Sequence, residues 1–190
     1  IGAKVDNAFF KEYSRFDISE PREAVIVYSP LHGTGVTTVP RALSEMGFAD
    51  VHMPAEQVKM DGHFPTVADH YPNPELPAAM ENAVKLAEKV GGDIVMASDP
   101  DADRLGVFAP DKDGRYVYLT GNQVGAMLCH FVCDRLRDSG KMPENPFILT
   151  TLVSTKMARA IAESFGVQII DDLLVGFKWM AQVLDWEEQK

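Results

Sequence analysis

The sequence is short of cysteine, short of positive charge and free of long apolar runs, and each shortage excludes something. Its two cysteines, Cys129 and Cys133, stand four apart in a helix-like stretch and form neither a disulfide framework nor a complete soft-metal site. They read as small apolar packing groups. Eighteen Lys and Arg against 28 Asp and Glu leave a formal net charge of −10. A nucleic-acid surface needs a basic footprint to neutralise phosphates, so no nucleic-acid partner is expected. A small phosphorylated ligand stays open, provided that local cations or a bound metal overcome the overall field. No segment approaches the run of about 18 apolar residues that spans a bilayer. Ile1-Gly2-Ala3-Lys4 lacks the basic-then-apolar profile of a secretory signal. The reading is of a cytoplasmic protein with no membrane partner. An initiator Met is also missing, and no strand follows the last helix-like segment, which ends at Trp186-Glu187-Glu188-Gln189-Lys190. The chain is therefore expected to be part of a longer polypeptide.

What is present fits a globular protein. Hydrophobic residues make up 46% of the 190 and charged ones 24%, enough to bury a core in one large domain or two small ones. Val5, Phe9, Tyr13 and Phe16 recur at helical spacing within residues 4–16. The run Ala24-Val25-Ile26-Val27-Tyr28 is short, apolar and β-branched, like a strand buried on both faces of a parallel sheet. The glycine turn Ser29-Pro30-Leu31-His32-Gly33-Thr34-Gly35 leads into a helix to Met46 with Gly47 as C-cap, and residues 49–53 offer the next strand. Residues 54–74 read as a long Pro-rich loop, of the kind that carries function or is disordered. A helix over 76–90, ended by Gly91-Gly92, precedes the strand Asp93-Ile94-Val95-Met96-Ala97. Residues 105–109 and 115–119 flank Asp111-Lys112-Asp113-Gly114, a hairpin signal.

A boundary near Thr120-Gly121 divides the chain into domains at 1–119 and 120–190. In the second, residues 122–137 read as a helix, 138–146 as a polar linker, 147–151 as a strand, 155–165 as a helix and 167–170 as a strand. Arg41-Ala42-Leu43-Ser44-Glu45-Met46-Gly47-Phe48 is similar to Arg159-Ala160-Ile161-Ala162-Glu163-Ser164-Phe165-Gly166, each set between two strands. That is a short internal repeat of one α/β unit. The expected fold class is α/β, as two consecutive three-layer units with mixed, mainly parallel sheets, the second incomplete.

Asp99, Asp101 and Asp103 alternate in the stretch leaving the 93–97 strand. An extended chain sends alternate side chains to one side, so three carboxylates converge. Without a cation they repel and raise one another's pKa, and a divalent ion compensates. An all-oxygen donor set favours Mg²⁺ over zinc or copper. An EF-hand fails, because counting from Asp99 its sixth and twelfth positions hold Arg104 and Pro110 in place of Gly and Glu. Two other readings stay open: Asp99 as the nucleophile of an aspartyl-type phosphatase, and an acidic turn that holds nothing. Arg104 favours a ligand, since its planar fork suits bidentate phosphate binding beside a metal. The glycine turn could present amides and a helix N-terminus to an anion, which keeps a nucleotide-binding α/β module open. It matches neither the dinucleotide fingerprint nor the P-loop.

Ser98-Asp99-Pro100-Asp101-Ala102-Asp103-Arg104 resembles the metal loop of the phosphoglucomutase/phosphomannomutase family, the α-D-phosphohexomutases, and its Pro and Ala spacers resemble the phosphopentomutase-like branch. Pro30-Leu31-His32-Gly33-Thr34-Gly35, Asp61-Gly62-His63-Phe64-Pro65, Pro72-Asn73-Pro74-Glu75, Leu119-Thr120-Gly121-Asn122-Gln123 and Gly176-Phe177-Lys178-Trp179 are similar to further family segments, in the family's order, over nearly the whole chain. The resemblance implies four domains, three sharing an α/β topology, of which this chain is the second and most of the third. It implies an isomerase that moves a phosphoryl group between the 1-position and the terminal 5- or 6-position of an aldose phosphate, through a phosphoserine enzyme and a bisphosphate intermediate. Mg²⁺ would be held by Asp99, Asp101 and Asp103. Arg104 would contact the transferring phosphate, Lys178 would hold the sugar or assist proton transfer, and His32 would bind substrate. The family's phosphoserine loop, Gly-Glu-x-Ser-Gly-His sugar loop and C-terminal phosphate loop are not found here. The chain is thus expected to be inactive alone and to need the remaining domains of the same polypeptide, and the choice among glucose, mannose and pentose phosphates is not written in these residues.

Overall fold

β1 (Ile26–Ser29) is apolar where a two-sided burial demands it, and all four of its residues are buried. β2 (Val51–His52) pairs with it in parallel on one side and β3 (Ile94–Ser98) in parallel on the other. β4 (Leu105–Pro110) and β5 (Tyr116–Leu119) extend the sheet as the antiparallel hairpin that Asp111–Gly114 announced, giving the order β2-β1-β3-β4-β5. The hairpin turn is closed by Asp111, whose carboxylate accepts the N–H groups of Asp113 and Arg115 at 2.8 and 2.9 Å. This computed structural model describes residues 2–13 and 21–188; Phe16, the last member of the N-terminal helical stripe, lies outside the described residues.

The helices of this unit carry their own stop signals. α1 (Ala3–Tyr13) exists as expected; Phe10 is buried, with the Arg41 guanidinium 4.1 Å above the ring, while Val5 and Phe9 are half exposed. The single helix read up to Met46 is divided into a 3-10 turn at Thr34–Thr37 and α2 (Val39–Glu45), with Pro40 in the first turn, where its missing N–H costs nothing. α3 (Glu81–Val90) ends on Gly91 in the left-handed conformation, φ 72°, with its N–H returned to the Ala87 carbonyl. α3 lays Ala83 and Ala87 on the sheet, small residues that let helix and strands approach closely. Val27, Leu31, Met80, Val95, Ala97 and Phe108 complete the core with them.

Because β1 and β3 are parallel neighbours with Ser29 opposite Ala97, the loops that leave their carboxyl ends emerge side by side. That edge is where open α/β sheets place ligands.

The chain forms two compact units, Ile1–Thr120 and Gly121–Lys190. The second contains α4 (Gly121–Asp138), β6 (Phe147–Thr151), α5 (Met157–Ser164), β7 (Gln168–Leu173) and α6 (Phe177–Glu188). β6 and β7 form a parallel two-stranded sheet, with β7 running three residues beyond its sequence-based end at 170. β6-α5-β7 repeats the arrangement of β1-α2-β2, as the internal similarity implied. Cys133 is buried against Ala162 and Val167, a packing role. Asp171 is buried and held by Arg159 and Lys156. Among the described residues no helix is long and apolar enough to cross a membrane.

Candidate metal centre

The acidic loop begins where β3 ends. Asp99 is 1% exposed, and its side chain organises the residues that follow. Its Oδ1 accepts the N–H groups of Asp103 and Arg104 at 3.1 and 3.0 Å, and its Oδ2 accepts Nε–H of Arg104 at 2.7 Å. Its carbonyl oxygen takes the Ala102 N–H at 3.0 Å, and Ala102 adopts a left-handed φ of 63°. The carboxylates therefore converge through a tight turn wrapped around Asp99, not through the alternation of an extended strand. Among the described residues, Asp99, Asp101 and Asp103 form the one group of acidic, His or Cys side chains close enough to share a metal, with one oxygen of each within 4.8 Å of the others. That is near the span a single hard cation bridges with bonds of about 2.1 Å.

The electrostatics of the loop are unbalanced. Burial pushes the Asp99 carboxyl up, but the hydrogen bonds and charge of Arg104 outweigh it and leave the group below its ordinary range. Asp103 goes the other way, raised by the charges of Asp101 and Asp99. Asp101 and Asp103 both face solvent; the single guanidinium lies 2.7 Å from Asp99 and only 4.0 Å from Asp103, so it satisfies the buried carboxylate and offsets the repulsion between the exposed ones only in part. All-oxygen donors with excess negative charge suit Mg²⁺ and not a soft metal. Arg104 itself is 44% exposed at its side chain, with only Nε committed to Asp99 by hydrogen bond, so its terminal N–H groups are open to a ligand.

A recess of about 500 Å³ opens beside the loop. Asp99, Pro100, Asp101 and Arg104 form one wall, Thr34 another, and Phe64, Tyr71, Pro72 and Asn73 come from the long 54–74 loop. The length of that loop fits function or disorder alike, and its Asp61–Pro65 and Pro72–Glu75 segments are the ones similar to family segments. Those segments include Phe64 and Asn73, and the glycine turn includes Thr34, but only the fold brings them together with Tyr71 at one recess.

His32 is not among the residues that line this recess; it is 4% exposed, at a left-handed φ of 64°. Its Nδ1–H donates to the Lys59 carbonyl at 2.9 Å and its Nε2 meets the Thr66 hydroxyl at 2.9 Å. Its backbone N–H donates to the Gln57 carbonyl and its carbonyl accepts from Asp61. The residue ties the long loop to the end of β1, and the substrate contact implied for it needs one of these bonds to open. The glycine turn likewise spends its amides internally: Gly33 N–H on the Pro30 carbonyl, Thr34 N–H on that of Pro100. Lys178 belongs to the second unit, in the first turn of α6, with its ammonium 5.2 Å from the Trp179 ring centroid.

Fold and site define a class: a mixed α/β domain with an oxygen-donor site at the carboxyl end of a central strand. Residues 7–114 match the family model for phosphoglucomutase/phosphomannomutase, alpha/beta/alpha domain II, and the chain belongs to that family. It is 35% identical over 182 residues to a phosphoglucomutase of Staphylococcus epidermidis, covering 95% of this chain and 32% of that protein. Among solved structures, a phosphoglucomutase/phosphomannomutase family protein of Burkholderia thailandensis superposes with a TM-score of 0.69 at 20% identity, over 95% of this chain and 35% of that one. The N-acetylphosphoglucosamine mutase of Aspergillus fumigatus, solved with GlcNAc-6P and magnesium, superposes with a TM-score of 0.58 at 17% identity, over 90% of this chain and 34% of that one. The chain thus spans about a third of the length of these relatives.

Proposed function

We propose that this chain supplies the metal-holding wall of a phosphosugar mutase active site, completed by other domains of the same polypeptide. The observation that carries the reading is the convergence of Asp99, Asp101 and Asp103 with Arg104 at the end of β3, in a chain of this family. The magnesium in the A. fumigatus mutase supports the choice of ion. When bound, Mg²⁺ would neutralise charge developing on a transferring phosphoryl group. The residues of this chain do the rest. The three aspartates hold the ion, Asp99 also keeps Arg104 in place, and the terminal N–H groups of Arg104 receive phosphate oxygens. Lys178 holds the sugar or assists proton transfer in the assembled enzyme, and His32 serves the site by fixing the loop that carries Tyr71 and Asn73. The phosphoserine that donates the phosphoryl group lies outside this chain, the reaction runs through a bisphosphate between the 1-phosphate and terminal-phosphate forms of an aldose, and the chain alone is inactive.

The two rival readings fare worse on specific contacts. A phosphatase nucleophile must attack phosphorus in line from an accessible oxygen, whereas Asp99 is buried; a cation needs only the second lone pair of an oxygen that already accepts a hydrogen bond. A nucleotide-binding turn needs free amides, and those of Gly33 and Thr34 are spent. Calorimetry on this chain should show one weak Mg²⁺ site that Asp101→Ala abolishes, and no hydrolysis of phosphate esters. Phosphate covalently attached to Asp99 would overturn the assignment in favour of the phosphatase. A longer protein containing this chain should transfer phosphate between positions on a hexose or pentose 1-phosphate.

A further inference from the structure

We propose that Gly33, Thr34 and Gly35 are positioning residues for the acidic loop, a saddle that fixes the backbone on either side of Asp99; the consequence for metal binding rests on the reading just given. The two glycines dock on the two neighbours of Asp99. A Cβ on Gly33 would lie 2.3 Å from Pro100 Cα and 2.7 Å from its carbonyl oxygen. A Cβ on Gly35 would lie 2.6 Å from Ser98 Oγ and 2.1 Å from the Tyr28 hydroxyl, which itself hydrogen-bonds Ser98 at 2.7 Å. Backbone conformation does not demand glycine here, since φ of Gly33 is −99°, open to any residue. The demand is for room: at Gly33 backbone meets backbone, and at Gly35 backbone meets the hydrogen-bonded hydroxyls of Tyr28 and Ser98. Between the glycines, Thr34 donates twice to the Pro100 carbonyl, from N–H at 2.8 Å and from Oγ1 at 2.9 Å. Pro100 has no N–H of its own, so its carbonyl is its only hydrogen-bonding handle, and Thr34 holds it doubly.

The effect is transmitted through Asp99. With Ser98 and Pro100 both fixed, the Asp99 carboxylate is held where the Asp103 and Arg104 amides find it, and the turn that gathers Asp101 and Asp103 closes around it. A motif that looks like an anion-binding turn is thus a brace. Thr34 is exposed, so altering its side chain disturbs the core little.

The test compares Thr34→Val, Thr34→Ser and Gly33→Ala in the 190-residue chain. Two quantities are read: hydrogen exchange of the Asp103 and Arg104 amides without metal, and Mn²⁺ affinity by electron paramagnetic resonance. Thr34→Val loses one of the two bonds to Pro100 and should speed exchange of both amides and weaken Mn²⁺ binding about three- to tenfold. Thr34→Ser should restore both. Gly33→Ala should weaken binding about tenfold or more. Wild-type exchange and affinity in Thr34→Val, or a serine variant that fails to restore them, would overturn the role of Thr34, and this arm decides even if Gly33→Ala does not fold. Faster exchange in a chain whose wild type takes up no Mn²⁺ would sustain the brace and remove the metal reading.

Discussion

Replacing Asp99 by Asn separates the structural work of this carboxylate from its work as a metal ligand. Asp99 is acceptor to three donors, two amides at Oδ1 and the Arg104 Nε at Oδ2, in a place 1% exposed. Asparagine keeps the shape but offers one acceptor and one donor. Turned either way, its NH₂ faces an N–H group. Losing a charge-assisted bond costs about 1.5–3 kcal/mol, and stranding a buried donor about 1–3 kcal/mol. Arg104 is 44% exposed and can swing toward water, which places the total near the low end, about 2 kcal/mol. Asp101→Asn removes an exposed charge wedged between two others, so its effect on stability should stay within about 0.5 kcal/mol and favour the fold. Both variants should lose Mg²⁺ binding. Both tryptophans, Trp179 and Trp186, lie in the second unit, so their fluorescence does not report on this loop. The measurement is native-state hydrogen exchange of β1 and β3 amides. Equal protection in Asp99→Asn and Asp101→Asn would refute the claim that the Asp99–Arg104 contact organises the turn.

Two more expectations concern the scaffold. The hydrogen bonds of Arg159 hold the Asp171 carboxyl below its ordinary range, so this pair contributes stability above about pH 4 that is lost as the pH falls through the lower folded-state value. Tryptophan fluorescence should show that acid-side loss in the wild type and a smaller pH dependence over the same range in Asp171→Asn. Met80 is fully buried between the long loop, α3 and the sheet, and Met80→Ala should cost about 2–5 kcal/mol, read from urea unfolding by far-ultraviolet circular dichroism.

Most elements were legible because their signals are local. The apolar β-branched runs became β1 and β3, the Asp-x-Asp-Gly stretch became a hairpin, and Gly91 ended α3 in the conformation that only glycine adopts cheaply. Of the stripe on α1, Val5 and Phe9 stay half exposed, while Phe10, off their face, meets Arg41, a contact that no helical period encodes. The acidic triad was found for a partly wrong reason. Alternation predicted convergence, and convergence is there, but through a turn with a left-handed Ala102.

The sequence by itself determined the loop's chemical groups: three carboxylates, one guanidinium, no thiol or imidazole, and an excess of negative charge. It also determined the strand–helix order and the family. The tertiary structure decided which groups do what. The parallel register of β1 and β3 sets Thr34 against Pro100 across 66 residues, and the packing of the long loop engages both ring nitrogens of His32 and brings Tyr71 and Asn73 to the recess. Such contacts depend on which strands become neighbours. Pairing is selected by the burial of whole faces, and no local spacing carries that information.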